Sequence, residues 1–212
     1  MNNKDLLKEI CLDIHAGGVL IYSFNKDGKI VFLLGRENYV KSIQNNKHSK
    51  AGKLCDFGGG ILNTESIQYG ITREFYEESM GAIMSNDDLL KLITSDEAFI
   101  FINKEHPYIE CIIKINYNTE LPRVYNNIRR YLDACMLYIS KDDVNFLHTI
   151  PSCPHGYLEK TEIKWLTISD ILNDVDNIRM EFRNTIYKVI KIYFTHFLSP
   201  EEEASLPKLI DA

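Results

Sequence analysis

Residues Gly59–Gly81 read GGILNTESIQYGITREFYEESMG, and this stretch carries Glu74, Glu77 and Glu78 at i, i+3 and i+4. On a helix those positions share one face and span roughly 100° of arc. Like charges that close repel by about a few tenths of a kcal/mol per pair even when exposed. Such a face is either solvated and relieved by basic neighbours, or it is where a cation binds. Carboxylate oxygens at this density suit a hard divalent ion, Mg2+ or Mn2+. Ser66 is a suitable N-cap, so the spacing predicts a helix from about Ser66 to Met80. Arg73 stands beside the acidic cluster, where a guanidinium can hold a carboxylate by two parallel hydrogen bonds. Gly58, Gly59 and Gly60 permit a sharp turn and a close approach of the backbone. By itself, E-x-x-E-E is also a common pattern on solvated helices.

Outward from this stretch the chain mixes strands and helices. Upstream, an apolar run from Gly17 to Phe24, the turn Asn25–Gly28 and a second run from Lys29 to Leu34 make a hairpin. Residues 3–14 form a short amphipathic helix. The polar segment 37–53 is a loop carrying His48, Lys41, Lys47, Lys50 and Lys53. It is either a solvated surface or a flap for an anionic ligand. Leu54–Leu62 runs as a short strand into the glycines. Downstream, alternation and β-branched or aromatic content predict strands at Phe99–Asn103, Tyr108–Tyr117 and Ala134–Ser140, and a short one at Lys164–Leu166. A helical insertion lies near 118–132, a short helix near Ser169–Asn173 and a longer one within 178–198, followed by a loose tail. No internal repeat or linker divides the chain. The pattern predicts a single α/β domain over 1–212, with an N-terminal helix, insertions near 37–53 and 118–132, and a C-terminal helix and tail.

Composition narrows the class. Of 212 residues, 24 are basic and 30 acidic, a net charge of −6, and 45% are hydrophobic. That is the balance of an ordinary globular protein with enough apolar residues for a core. The acidic balance argues against a DNA-coating protein. No apolar run reaches the ~20 residues that cross a bilayer, so no membrane partner is expected. The five cysteines, Cys11, Cys55, Cys111, Cys135 and Cys153, include no C-x-x-C pair. With no signal-peptide layout at Met1, this predicts a reduced intracellular, cytoplasmic setting and no zinc site.

The spacing within Gly59–Gly81 is more specific than the acidic triplet alone. Gly59, five residues, Glu65, seven residues, then Arg73-Glu74-x-x-Glu77-Glu78 resembles the Nudix box of the Nudix hydrolase superfamily. Six fixed positions at roughly 6% each match one register by chance about once in 10⁷ to 10⁸, which makes coincidence a poor account. The preceding hairpin, the DFGGG turn and the Glu-containing stretch before a Trp, GYLEKTEIKWL, which looks like the family's later strand, also agree with the family's surroundings. The resemblance covers roughly residues 15–175. In one respect the chain departs: Met80 stands where the family has a glycine, and Gly81 comes one residue later. The glycine normally ends the helix in a left-handed conformation, so the departure predicts a helix longer by one residue.

The resemblance implies an α/β/α sandwich with a mixed sheet and hydrolysis of a nucleoside diphosphate linked to another moiety. Water attacks one phosphorus of the pyrophosphate bridge, with Mg2+ or Mn2+ neutralising charge. It implies metal ligation by Glu74, Glu77 and Glu78 with the Gly59 carbonyl, and a supporting salt bridge between Glu65 and Arg73. Glu74 or Glu78, or Glu159 or Glu162 on the later stretch, would take the proton of the attacking water. Arg36, at the end of the second strand, and Lys53 are candidate substrate contacts, and Arg129 and Arg130 could meet a polyphosphate. Tyr22, Tyr39 or Tyr157 could stack on a base, but aromatics at such positions more often belong to the core. His155 reads as a loop residue. The expected partner is a nucleotide-type small molecule, from nucleoside triphosphates and dinucleoside polyphosphates to nucleotide sugars and diphosphoinositol phosphates. The alternatives are capped RNA, favoured by the lysine-rich loop, and a non-catalytic nucleotide-binding domain. Nothing in the sequence specifies the oligomeric state.

Overall fold

The computed structural model describes residues 3–9, 14–39, 51–139 and 155–207. Lys41, Lys47, His48, Lys50 and Cys153 lie outside these residues, as does Cys11. The side chains of Cys135 and His155 are likewise not described.

The core of the molecule is a seven-stranded mixed sheet. Strand β1 (Ala16–Phe24) is its centre. It runs antiparallel to β2 (Ile30–Glu37) and β4 (Phe57–Gly60), and parallel to β6 (Tyr108–Lys114). β3 (Leu54–Cys55) and β7 (Lys160–Thr167) pair with β2, and β5 (Phe99–Asn103) pairs with β6. The β1–β2 hairpin closes as its sequence predicts. The Asn25 side chain accepts hydrogen bonds from the Asp27 and Lys29 amides, and Gly28 takes φ 74°.

Successive residues of β1 point to opposite faces, which sets up two cores. Val19 and Ile21 face a cluster with Leu33, Phe57, Ile71 and Phe75, under helix α2 (Ile67–Ser79) and α3 (Asn86–Ile93). Leu20 and Tyr22 face the other cluster, with Phe32, Ile186, Ile190 and Phe194, under α5 (Ile168–Asn173) and α6 (Met180–Tyr193). Helices on both faces of a mixed sheet make the expected α/β/α sandwich. Tyr22 is a core residue with its ring against Phe194 and Phe99, not an open stacking platform. The first helix, α1, spans Asn3–Glu9. Among the described residues, no helix is long and apolar enough to cross a membrane.

Three expectations need correction. Residues 134–139 are not a strand; they continue helix α4, Glu120–Ile139. A short apolar run does not reveal its own period, and here it extends a helix already under way. The helix expected near 118–132 is present and packs inward: Tyr125 and Arg129 are buried, and Asn126 pairs with the backbone of Ile163 on β7. The tail is not wholly loose, because α7 (Pro200–Ser205) is closed by a capping box in which Ser199 and Glu202 bond each other's backbone. Glu202 also accepts a bond from Ser169. Finally, α2 does not gain a residue. It ends at Ser79, and Met80 itself takes the left-handed conformation, φ 55° and ψ 27°, followed by Gly81 at φ 63°. The amides of Met80 and Gly81 bond the carbonyls of Glu77 and Tyr76, so satisfying those carbonyls outweighs the strain of a left-handed methionine.

Candidate active site

The site is built where α2 comes down on the glycine turn. β4 pairs with β1 so that Gly58 lies opposite Gly18 and Gly59 opposite Gly17. A Cβ on Gly58 would stand 2.4 Å from the Gly17 carbonyl oxygen, and one on Gly59 would stand 2.4 Å from Glu74 Oε2. Only glycine lets the strand and the helix carboxylate approach this closely. Ser66 caps the helix as expected, accepting from the Tyr69 amide at 3.3 Å.

Arg73 ties these parts together. Its Nε and Nη2 donate to the two oxygens of Glu65 at 3.0 and 2.7 Å. Nη1 donates to Glu74 Oε1 at 2.8 Å, and Nη2 also donates to the Gly60 carbonyl at 2.9 Å. Glu65 in turn accepts from the Leu62 amide. The Arg73 hydrogen bonds hold the Glu65 carboxyl below its ordinary range, and Glu65, with Glu74, raises Arg73.

The three helix glutamates occupy different surroundings. Glu74 is pulled against Gly59, and its pKa is raised: burial outweighs Arg73, with Glu77 and Glu159 adding repulsion. Glu77 is more open, 3.6 Å from Arg73 Nη1, and the turn His155–Leu158 lies over it. A Cβ on Gly156 would come within 2.6 Å of Glu77 Oε2, so this turn is shaped to the carboxylate. Tyr157 of the same turn meets the edge of Tyr76. Glu78 is turned inward. Its Oε2 accepts from the Gly58 amide at 2.7 Å, and its Oε1 lies 3.3 Å from Lys160 Nζ. Burial pushes its carboxyl well above the usual range, outweighing Lys160.

Lys160 was not legible as a site residue. It is completely buried, and its Nζ also reaches Cys55 Sγ at 2.8 Å and Glu37 Oε1 at 3.1 Å. Its aliphatic stem lies over Gly35, where a Cβ would stand 3.0 Å from Lys160 Cδ. Arg179 Nη1 approaches Glu37 from the other side at 3.4 Å. Beyond it, Tyr108 donates to Asp56, and Glu110 is buried with its carboxyl held well above the usual range by burial and by Asp56. The only early signal for Lys160 was its place in GYLEKTEIKWL, a strand-like stretch with a lysine that could equally have faced solvent.

The other candidates divide. Glu159 precedes β7 and lies close enough to raise both Glu74 and Glu78. Glu162 sits opposite Arg36 on β2 and accepts from its Nε at 2.6 Å, away from the helix carboxylates. Arg36 spends a second donor on the Gly52 carbonyl at 2.7 Å, and Lys53 Nζ donates to the Asp176 carbonyl at 2.5 Å. Arg129 is an internal clamp, bonding the Lys160 carbonyl at 2.8 Å, whereas Arg130 stays at the surface and bonds Asn127. Tyr39 is exposed.

The donor chemistry suits a hard cation at Glu74 and Glu77, where two carboxylates, one of them desolvated, lie within reach of a single arginine. Glu78 is held between the Gly58 amide and Lys160 Nζ. Among the described residues, no three Asp, Glu, His or Cys side chains form a group that could hold a metal ion.

Comparison by sequence finds no matching family model and no matching curated protein. Comparison by structure finds similar solved chains. One is an Ap4A hydrolase of C. elegans, 18% identical, covering 84% of this chain and 96% of that one at a TM-score of 0.42. A second is the Nudix hydrolase RenU of M. smegmatis, 10% identical, covering 84% of each chain at 0.44. A third is the MutT protein of Methanosarcina mazei Go1, 19% identical, covering 84% and 93% at 0.43.

Proposed function

We propose that this chain is a Nudix-type pyrophosphohydrolase that uses Mg2+ or Mn2+ to cleave the phosphoanhydride of a nucleoside diphosphate linked to another moiety. One observation carries the reading. The residues that make up the box spacing converge in space, with Arg73 binding Glu65, Glu74 and the Gly60 carbonyl at once. A solvated acidic helix would have no reason to bring its carboxylates against a glycine strand through one guanidinium.

In this mechanism Glu74 and Glu77 would hold the cation, whose chemistry is to neutralise the pyrophosphate charge and lower the pKa of water. Arg73 keeps Glu74 over Gly59 and fixes the loop after β4 to the helix. A water oxygen bonds to one phosphorus, the bridging P–O bond breaks, and the water's proton passes to a carboxylate. Glu74 and Glu159 are the better candidates for that proton. Glu74 is held over Gly59 by Arg73, and Glu159 is close enough to add to the rise that burial gives the Glu74 carboxyl. Glu162 is paired with Arg36 and is poorly placed for the role.

The test is a screen of nucleoside triphosphates, dinucleoside polyphosphates, nucleotide sugars, diphosphoinositol phosphates and capped RNA, with Mg2+ or Mn2+, reading products by mass. Cleavage of a phosphoanhydride that stops in excess chelator supports the proposal. Release of capped-RNA products in preference to all small molecules would move the substrate to RNA. Binding of nucleotides with no turnover under any condition would make the chain a nucleotide sensor and refute the enzymatic reading.

A further inference from the structure

The buried lysine beneath the acidic helix has a role the box does not describe. Lys160 Nζ stands among Cys55 Sγ at 2.8 Å, Glu37 Oε1 at 3.1 Å and Glu78 Oε1 at 3.3 Å, with no access to solvent. A buried ammonium is costly unless anions compensate it, and here two carboxylates do. The arrangement is specific. Gly35 leaves room for the lysine stem, a bulge between Arg36 and Glu37 sets Lys160 opposite Glu37, and the Gly58 amide fixes the second oxygen of Glu78. The outcome is that Glu78 is held at Gly58 by Lys160 and the backbone, whereas Glu74 is held at Gly59 by Arg73.

We propose that Lys160 is a positioning residue, a built-in counter-ion that holds Glu78 at the glycine turn and competes with a divalent cation for it. This rests on the metal-dependent hydrolase reading. Glu78 then has two alternative positive partners, and the ammonium is the one present before a cation arrives. An internal positive charge so close to the carboxylates also opposes a second positive charge among them. Removing it leaves Glu37 and Glu78 buried with less compensation, so a bound cation should matter more to the variant than to the wild type.

The experiment measures Mn2+ binding without substrate, by the loss of the free-ion electron paramagnetic resonance signal, together with thermal melting with and without Mn2+. Lys160→Met removes the charge and keeps an unbranched apolar stem one atom shorter. Because that variant leaves Glu37 with Arg179 as its remaining partner, Lys160→Met is also made on Glu37→Gln and compared with Glu37→Gln alone. Loss of Lys160 is expected to tighten Mn2+ binding about tenfold, the scale of one charge interaction in a protein interior, and to enlarge the rise in Tm that Mn2+ produces. Lys160→Arg should bind Mn2+ as the wild type does. On a Glu78→Gln background the Lys160→Met effect should vanish, since Lys160 acts through Glu78. Mn2+ affinity unchanged by Lys160→Met in both backgrounds overturns the proposal alone, as does an equal effect with Glu78→Gln present. A wild type that binds no Mn2+ overturns the metal reading and this proposal together.

Discussion

Replacing Arg73 with alanine removes four hydrogen bonds: two to Glu65, one to Glu74 and one to the Gly60 carbonyl. Glu65 and Glu74 are left as carboxylates in a partly dry site, with only 7% and 16% of their side chains exposed. A hydrogen bond to a charged group contributes about 1.5–3 kcal/mol when desolvated. Arg73 keeps 22% of its side chain in water, which screens the pair and lowers its worth. The expected cost of Arg73→Ala is therefore about 1–3 kcal/mol, of which about 1–2 kcal/mol is coupling to Glu65. For a chain of this length, about 2 kcal/mol corresponds to a fall in Tm of roughly 4–8 °C. The assay is urea unfolding followed by circular dichroism for wild type, Arg73→Ala, Glu65→Ala and the double variant, checked for a constant m-value. The double variant should be less destabilised than the sum of the single ones. Additivity within about 0.5 kcal/mol would mean that the two side chains do not interact and would refute the reasoning.

Glu77→Gln should lower kcat by at least ~10²-fold with the melting curve unchanged, because Glu77 is the open carboxylate of the site. Glu78→Gln should lower it less and still fold, since Glu78 is held by Gly58 and Lys160 and the amide oxygen can accept from Gly58; wild-type rates in Glu77→Gln would contradict the assignment. Gly81→Ala should cost about 1–3 kcal/mol in urea melts, because φ is 63° and the new Cβ would lie 2.7 Å from the Tyr76 ring. Two buried acids give opposite pH limbs. Burial alone would raise Glu37, but Lys160 and Arg179 outweigh it and bring it to about 2, below the free value of 4.5. Its stabilisation is therefore present above pH 4.5 and is lost as pH falls toward 2, and Glu37→Gln should flatten the acid limb of a stability–pH curve. Glu110 is held above the free value by burial, so its contribution is present below that value and is lost as pH rises; Glu110→Gln should flatten the limb above it.

What the sequence alone determined about this protein is local or periodic. The helix over Ile67–Ser79, its Ser66 cap, the Asn25–Gly28 hairpin and the alternating faces of β1 follow from neighbours within a few residues. The pairing of Glu65 with Arg73, eight positions apart, was implied by the resemblance. Tertiary structure decided where each charge ends. Lys160 reaches Glu37 across 123 positions, and Arg36 reaches Glu162 across 126. A lysine on a predicted strand is ordinarily a solvated charge, and only the pairing of β2 with β7 makes this one interior. The same packing turned Glu78 inward, although helical spacing puts it beside Glu74 and Glu77. It also made Arg129 a clamp and continued α4 through residues expected as a strand. The physical reason is common to these cases. Backbone propensity acts over one or two turns, whereas the free energy of a charge is set by which distant groups exclude water from it and which supply its counter-ion.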